Sequence, residues 1–289
     1  MTIARPAWIA KRDAYRARVR PLVEDRLARA SRREKHPVHD FLFEYYSFRP
    51  SHLMRWSPGW GVRLEDATAA EIEWPEFGVE PFLFPAAFPP QRLSYLDWAI
   101  SHLAATASRE PHFGCFGLHE WAMVYRDPEV RHPYVPLRLP RAEVDAFVES
   151  QALRCTHYDA FRFFTTEAAP RNRLELTRAV ATEHEQPGCI HATMDLYKFA
   201  YKIAPFGRSE TLADAFELAS DARAVDMRAS PYDLAAYGYA AIAIETRDGR
   251  EEYVAEQRRL ADRAAPIRER MLTEYQKLRA ATGLTSSCR

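Results

Sequence analysis

Three polar side chains are spaced to share one face of a helix in the second half of the chain. His191, Asp195 and Lys198 are four and three residues apart and stand among mostly apolar residues, so we expect them to be packed close together. Burying an imidazole, a carboxylate and an ammonium in one place carries a desolvation penalty, and active sites are one of the few reasons for it. Asp195 can position a water molecule and Lys198 can hold a phosphate. A salt-bridge network that only joins helices is the alternative.

A second polar motif, His157-Tyr158-Asp159 with Arg162, lies in an aromatic segment. If the segment is a strand, His157 and Asp159 point to the same side and can reach one substrate. If it is a helix, Asp159 pairs with Arg162 and the motif is structural. We favour a functional role for Asp159.

Possible metal ligands are spaced along a third segment, in which His112, Cys115 and His119 are three and four residues apart. The residues that can complete such a shell are Cys155, His157, Cys189 and His191. No two cysteines form a Cys-x-x-Cys pair, and lone histidines and cysteines more often fill a core. We therefore predict no metal and no other cofactor. With a further carboxylate in this segment, the candidate catalytic residues are Glu120, His157, Asp159, His191 and Asp195.

Aromatic and basic residues are interspersed between residues 45 and 63. Arginines of this kind suit contacts with phosphates, and Trp56 or Trp60 can fill the gap left by a flipped base. The candidate DNA- or base-binding residues are Tyr45, Tyr46, Arg49, Arg55, Trp56, Trp60, Phe116, Lys198 and Arg228. The alternative is an aromatic core helix followed by an ordinary surface loop.

Three motifs, at residues 156–164, 185–202 and 226–233, resemble in this order a group of bacterial proteins that are common in actinobacteria and carry the name 3-methyladenine DNA glycosylase. The similarity extends from about His36 to about Leu278. It implies a hydrolase that cleaves the N-glycosidic bond of a modified base in DNA and leaves an abasic site. The base is an alkylated purine or a hypermodified phage pyrimidine such as glucosylated hydroxymethylcytosine, and the second substrate implies phage defence.

Base excision of this kind passes through an oxocarbenium-like sugar. A monofunctional enzyme needs a carboxylate that orients water and a pocket that accepts a flipped nucleotide. The expected partner is therefore DNA that contains a modified base. Two alternative functions remain. One is a metal-dependent helical oxygenase that acts on a small molecule, which the ten histidines support. The other is a non-catalytic DNA-binding protein.

The elements that position these residues are mostly helical. We predict a mainly α fold in a single domain over residues 1–289, with a few short strands, and an α+β fold as the alternative. The predicted helices are 8–33, 38–48, 93–105, 143–152, 172–183, 189–203, 211–226 and 251–281, the last interrupted at Pro266. Asp248-Gly249 is predicted to be a turn. Residues 155–164 fit either a strand or a buried helix, and residues 240–245 fit either a short strand or a helical turn.

Charge is distributed unevenly along a chain whose 40 basic and 40 acidic residues balance. Residues 1–63 contain 14 basic and 6 acidic residues, and residues 64–150 contain 6 and 14. The basic, helical N-terminal region 1–63 either neutralises DNA phosphates or pairs with the acidic segment. The four scattered cysteines and the lack of a long apolar run predict a cytoplasmic protein without a membrane partner. The sequence leaves the oligomeric state open.

Overall fold

Helices form wherever apolar residues recur with helical spacing. The computed structural model describes residues 1–78 and 81–284, and over these ranges the fold is mainly α, as predicted. The helices are α1 (Arg5–Ser31), α2 (Phe41–Tyr45), α3 (Pro50–Leu53), α4 (Leu93–Ala107), α5 (Leu118–Ala122), α6 (Arg141–Ser150), α7 (Tyr158–Phe161), α8 (Ala181–His184), α9 (Ile190–Ile203), α10 (Ser209–Arg228) and α11 (Arg247–Ala281). Short 3-10 turns lie at Pro75–Phe77, Pro85–Ala87, Pro90–Arg92, Ala169–Arg171 and Ala235–Tyr237.

Helix α9 lies at the centre of the molecule. It packs against α10 and α11, which also pack against each other, and α4 covers another side of α11. Eleven of the fourteen residues of α9 are buried, so even its polar side chains face other elements. The helix ends where Pro205 forces the preceding Ala204 into an extended conformation, with φ −54° and ψ 143°.

The basic N-terminal helix is tied to the acidic segment that follows it. Strand β1 (Thr2–Ile3) pairs in parallel with β2 (Arg63–Leu64), which brings the start of α1 beside residues 65–73. Arg5 pairs with Glu71 and Arg16 with Glu73, each at 2.6 Å. The positive charge of α1 is therefore partly neutralised within the chain, as the structural alternative for this region expects.

Two predictions for the last helix are wrong. Asp248-Gly249 is not a turn but lies in the first turn of α11, where the Thr246 hydroxyl caps the Gly249 N–H at 3.1 Å. A Cβ at residue 249 would overlap the carbonyl oxygen of Ala243, so only glycine fits there. Pro266 does not interrupt α11, because the surrounding side chains that face the core hold the helix together across the missing N–H.

Other predicted elements are shorter than expected. The predicted helix 172–183 is only α8, because the Asn172 side chain bonds the backbone of Cys155 and Leu174 and holds the chain in an irregular conformation. The predicted helix 38–48 is reduced to α2 and ends before Ser47, whose φ is +54°. Residues 155–164 form one short helix, α7, and residues 240–245 form no regular element. Within the described ranges, no helix is both long and apolar enough to cross a membrane.

Candidate active site

A pocket of about 580 Å³ opens between α4, α7 and α9. Its volume lies in the range of pockets that bind small molecules. Buried polar side chains form its inner lining, namely His102, His157, Glu185 and Asp195. Aromatic side chains of α4 and α7 flank it, and the indole of Trp98 is 40% exposed. Its outer edge contains the exposed cations Arg162, Arg178 and Lys202.

The carboxylate of Asp195 is held at both of its oxygens. Its Oδ1 accepts a 2.7 Å hydrogen bond from the hydroxyl of Tyr46, which directly follows α2. Its Oδ2 pairs with the ammonium of Lys198 and lies 3.8 Å from Nε2 of His157. Burial raises the pKa of Tyr46 well above its ordinary value, so this phenol keeps its proton and orients the carboxylate.

His157 is held by a carboxylate that bridges two histidines. Its Nδ1 lies 2.7 Å from Oε2 of Glu185, whose Oε1 lies 3.0 Å from Nε2 of His102. Burial alone would lower the pKa of His157, but Glu185 and Asp195 outweigh it and raise this pKa. The Nε2 atom of His157 is buried, lies 3.8 Å from Oδ2 of Asp195 and has no hydrogen-bond partner among the described residues.

Lys198 joins the two aspartates of the pocket. Its ammonium pairs with Asp195 and lies 3.5 Å from Oδ2 of Asp159. Burial opposes the charge, but the two carboxylates outweigh it and raise the pKa of Lys198. Asp159 is the more exposed aspartate and also pairs with Arg162 at 3.3 Å. We call His157, Asp159, Glu185, Asp195 and Lys198 the pocket cluster.

A second group of charged residues lies deeper, between α5, α9 and α10. We call His119, Glu120, His191, Arg223 and Asp226 the core cluster, and each of them is at most 6% exposed. The Arg223 guanidinium pairs with Glu120 at 2.6 Å and with Asp226 at 2.7 Å. Nε2 of His119 lies 2.8 Å from Oδ1 of Asp226. Burial would raise the pKa of Asp226, but His119 and Arg223 outweigh it and lower this pKa.

His191 stands between the two clusters. Its ring stacks on His157, with centroids 5.2 Å apart, and contacts His119 edge-on at 4.3 Å. Burial and the neighbouring His119 lower the pKa of His191 well below its ordinary value. Its surroundings contain two small cavities of about 10 and 20 Å³, so it has no wide path to solvent. The sulfur-containing residues Cys115, Cys155 and Cys189 line the larger of these cavities.

The structure divides the predicted catalytic residues between the two clusters. His157, Asp159 and Asp195 line the large pocket. Glu120 does not, because its pairing with Arg223 holds it in the core cluster. His191 also lies outside the lining of the large pocket. Three of the predicted DNA-binding residues, Tyr45, Tyr46 and Lys198, contact Asp159 or Asp195.

The other predicted DNA-binding residues lie away from the pocket. Trp56 is buried and stacks near Trp8 at 6.5 Å, so it cannot insert into DNA without leaving the core. Arg228 is held by the Ala240 carbonyl and by Glu252. We therefore remove both from the candidates. Residues that are at least partly accessible but outside the pocket lining are Arg49, Arg55, Trp60 and Phe116.

Several lining residues were missed by the sequence analysis. Trp98 and His102 are four residues apart on α4 and stack at 4.8 Å, a spacing that could have identified them as one polar-aromatic face. Glu185 directly precedes the Gln-Pro-Gly loop, and nothing local to it indicates that it bridges two distant histidines. Arg223 lies three residues before Asp226, which is the spacing of a helical ion pair.

Comparisons with known proteins gave no match: no family model, no curated protein and no solved structure is significantly similar to this chain.

Proposed function

We propose that the protein is a monofunctional DNA glycosylase that hydrolyses the N-glycosidic bond of a modified base. This proposal rests on the position of the Asp195 side chain. Asp195 is 2% exposed, yet it lines an open pocket of about 580 Å³. Tyr46 and Lys198 fix its orientation. A buried, oriented carboxylate beside a pocket of nucleoside size is what cleavage through an oxocarbenium-like sugar requires.

In the proposed reaction, the flipped base stacks on the exposed indole of Trp98. The bond between C1′ and the base nitrogen breaks, and its electron pair leaves with the base. His157 donates a proton from Nε2 to the departing base, a role that fits its raised pKa. Asp195 stabilises the cationic sugar and accepts a proton from the water molecule whose oxygen forms the new bond to C1′.

Lys198 supports hydrolysis over a lyase mechanism. An amine must be unprotonated to attack C1′, and activated lysines have a lowered pKa. The two aspartates raise the pKa of Lys198 instead. The ammonium therefore acts as a fixed cation that orients Asp195 and Asp159 and does not form a covalent intermediate with the sugar.

The outer edge of the pocket suits a polyanion. Arg162, Arg178 and Lys202 are exposed and lie around the opening, where they can contact phosphates on either side of the flipped nucleotide. Three such contacts give weak general affinity for DNA. The pocket must then supply the selectivity, which agrees with the zero net charge of the chain.

The test is a panel of duplex DNAs of one sequence: unmodified, methylated at purines, or containing glucosylated hydroxymethylcytosine. Abasic sites are counted with an aldehyde-reactive probe, and free bases are identified by mass spectrometry. Release of one base by the wild-type protein, but not by an Asp195→Asn preparation purified identically, supports the proposal. Borohydride should trap no covalent adduct. The absence of base release from every DNA, with the protein folded, would reject it.

A further inference from the structure

We propose that His119, His191 and Asp226 of the core cluster bind one divalent transition-metal ion. Each of the three side chains offers one ligand atom, and these atoms lie within 4.8 Å of one another. All three residues are buried, at 5%, 6% and 0% exposure. They come from three separate elements, α5, α9 and α10, so one ion would join these three helices. The proposal is independent of the glycosylase activity.

The positions of two of these side-chain atoms indicate that both bind the same metal ion. Nε2 of His119 and Oδ1 of Asp226 lie 2.8 Å apart as a charged pair, and neither atom has a further partner among the described residues. Buried polar atoms are nearly always satisfied. Two neighbouring ligands of one metal ion are about 3 Å apart, given bond lengths of about 2.1 Å. A metal ion between them would satisfy both atoms.

The surrounding residues prepare Asp226 to act as a ligand through one oxygen. Its other oxygen, Oδ2, accepts a 2.7 Å hydrogen bond from Arg223, which Glu120 in turn holds at 2.6 Å. Such outer partners orient metal-binding carboxylates.

The ligand set defines the class of metal. Two imidazoles and one carboxylate suit Fe²⁺, Mn²⁺, Co²⁺ or Zn²⁺, whereas Mg²⁺ and Ca²⁺ prefer oxygen ligands alone. The two cavities beside His191, of about 10 and 20 Å³, have room for about one water molecule each. Water can therefore complete the shell, but a substrate cannot enter it. The ion would stabilise the junction of the three helices.

The sequence analysis predicted no metal, and the possible ligands that it considered differ from this set. His112 is exposed and no cysteine belongs to the group, so only His119 and His191 are common to both. A second group of possible ligands, His157, Glu185 and Asp195, also lies within 4.8 Å. Lys198 already pairs with Asp195 there, and two histidines share Glu185, so we assign the metal to the core cluster.

The test uses the full-length protein, dialysed against a chelator and then titrated with Co²⁺, whose visible absorption reports its ligands. We expect one Co²⁺ per chain by elemental analysis after desalting, and a rise in Tm of about 5 °C or more at saturating metal. Zn²⁺ should displace the Co²⁺ and remove the absorption bands. Less than 0.1 metal ion per chain with an unchanged Tm, for Fe²⁺, Mn²⁺, Co²⁺ and Zn²⁺ alike, would overturn the proposal.

Matched variants locate the site. His119→Asn and Asp226→Asn should each lower Co²⁺ affinity at least tenfold, whereas His112→Asn and His157→Asn should leave it unchanged. Circular dichroism of each metal-free variant confirms that it is folded. If His119→Asn fails to fold, the wild-type stoichiometry and the Asp226→Asn titration still test whether the metal binds at this site. Loss of binding in His157→Asn, or in His112→Asn, with binding retained in Asp226→Asn, would place the ion elsewhere and refute the assignment.

Discussion

The pocket cluster and the core cluster contain the same kinds of residues but differ in their access to solvent. Both combine histidine and carboxylate side chains with one strong cation, and α9 contributes to both. The pocket cluster lines a space of about 580 Å³, whereas the cavities beside the core cluster hold about 20 Å³ or less. The comparison shows that burial of charged side chains does not by itself identify an active site. We propose that the space beside them distinguishes the proposed active site from the core cluster.

The strongest test of this distinction is Asp195→Asn. The amide keeps the shape of the side chain but cannot take a proton from water or balance a cationic sugar. We expect the rate of base release per folded chain to fall about 10²- to 10⁴-fold, and the Tm to fall as well, because Lys198 loses one of its two carboxylate partners. Single-turnover kinetics on the preferred DNA measure the rate. Glu120→Gln, at a carboxylate of the core cluster, is the matched control and should keep the rate per folded chain.

The converse test is Arg223→Met in the core cluster. It leaves Glu120 and Asp226 buried without their cation, and breaking such a pair by removing one partner destabilises a protein by about 3–5 kcal/mol. Urea unfolding measures the free energy of unfolding at neutral pH. A loss below about 1 kcal/mol would mean that the core cluster is not the structural element that we describe. Pairing the variant with Glu120→Gln should restore part of the stability.

A smaller effect on the reaction is expected from Trp98→Ala at the side of the pocket. Stacking of a base on an aromatic ring contributes about 1–3 kcal/mol, so KM should rise about 5- to 150-fold. Because Trp98 also stacks on His102, the variant is compared per folded chain. Tyr134→Ala is the control, because Tyr134 is also 40% exposed but does not line the pocket. Equal KM values for the two variants would argue against stacking at Trp98.

The contribution of the pocket edge to DNA binding is measured by the salt dependence of the DNA affinity. Replacing Arg178 or Lys202 with Gln should lower the slope of log affinity against log salt by about one for each phosphate that is no longer neutralised. Fluorescence anisotropy with a labelled duplex from 50 to 200 mM salt gives this slope. Arg247→Gln serves as the control because its side chain is 88% exposed and lies outside the pocket. An identical slope in all three variants would contradict phosphate binding at this edge.

The smallest effect concerns a histidine in neither cluster. Burial and the neighbouring His39 lower the pKa of His36 to about 4, and its Nδ1 accepts the backbone N–H groups of Val38 and His39. Its neutral form is favoured in the folded state, so stability is complete above about pH 6.5 and decreases as the pH falls towards 4. His36→Asn should reduce this decrease by about 1 kcal/mol or less, because the ring is only partly buried. Thermal unfolding at pH 7, 5.5 and 4 measures it, and parallel curves would contradict the assignment.

Local spacing predicted the long helices and an ion pair within one of them. The apolar pattern of residues 189–203 gave α9 nearly to the residue, and the spacing of Asp195 and Lys198 predicted the ion pair that forms. The same pattern grouped His191 with Asp195. Four residues advance a helix by about 6 Å. This distance is enough for His191 to pack against α5 and α10 while Asp195 lines the pocket.

The contacts between distant segments were not predictable from local patterns. Glu185 bridges His102 and His157, and these three residues stand in separate segments that only the tertiary fold brings together. Asn172 was assigned to a helix because neighbouring residues favour one, but its amide bonds the backbone of another segment. Side-chain bonds to backbone compete with helix formation, and their partners depend on tertiary structure.

The first turn of α11 limits which residue related chains can have at position 249. The carbonyl of Ala243 occupies the place where any other residue would have its Cβ at position 249. In related chains that begin this helix in the same way, glycine should therefore persist at this position while the flanking Asp248 and Arg250 diverge. A relative with another residue there must have a differently built connection between α10 and α11. Position 249 is thus a better marker of shared descent than the charged residues around it.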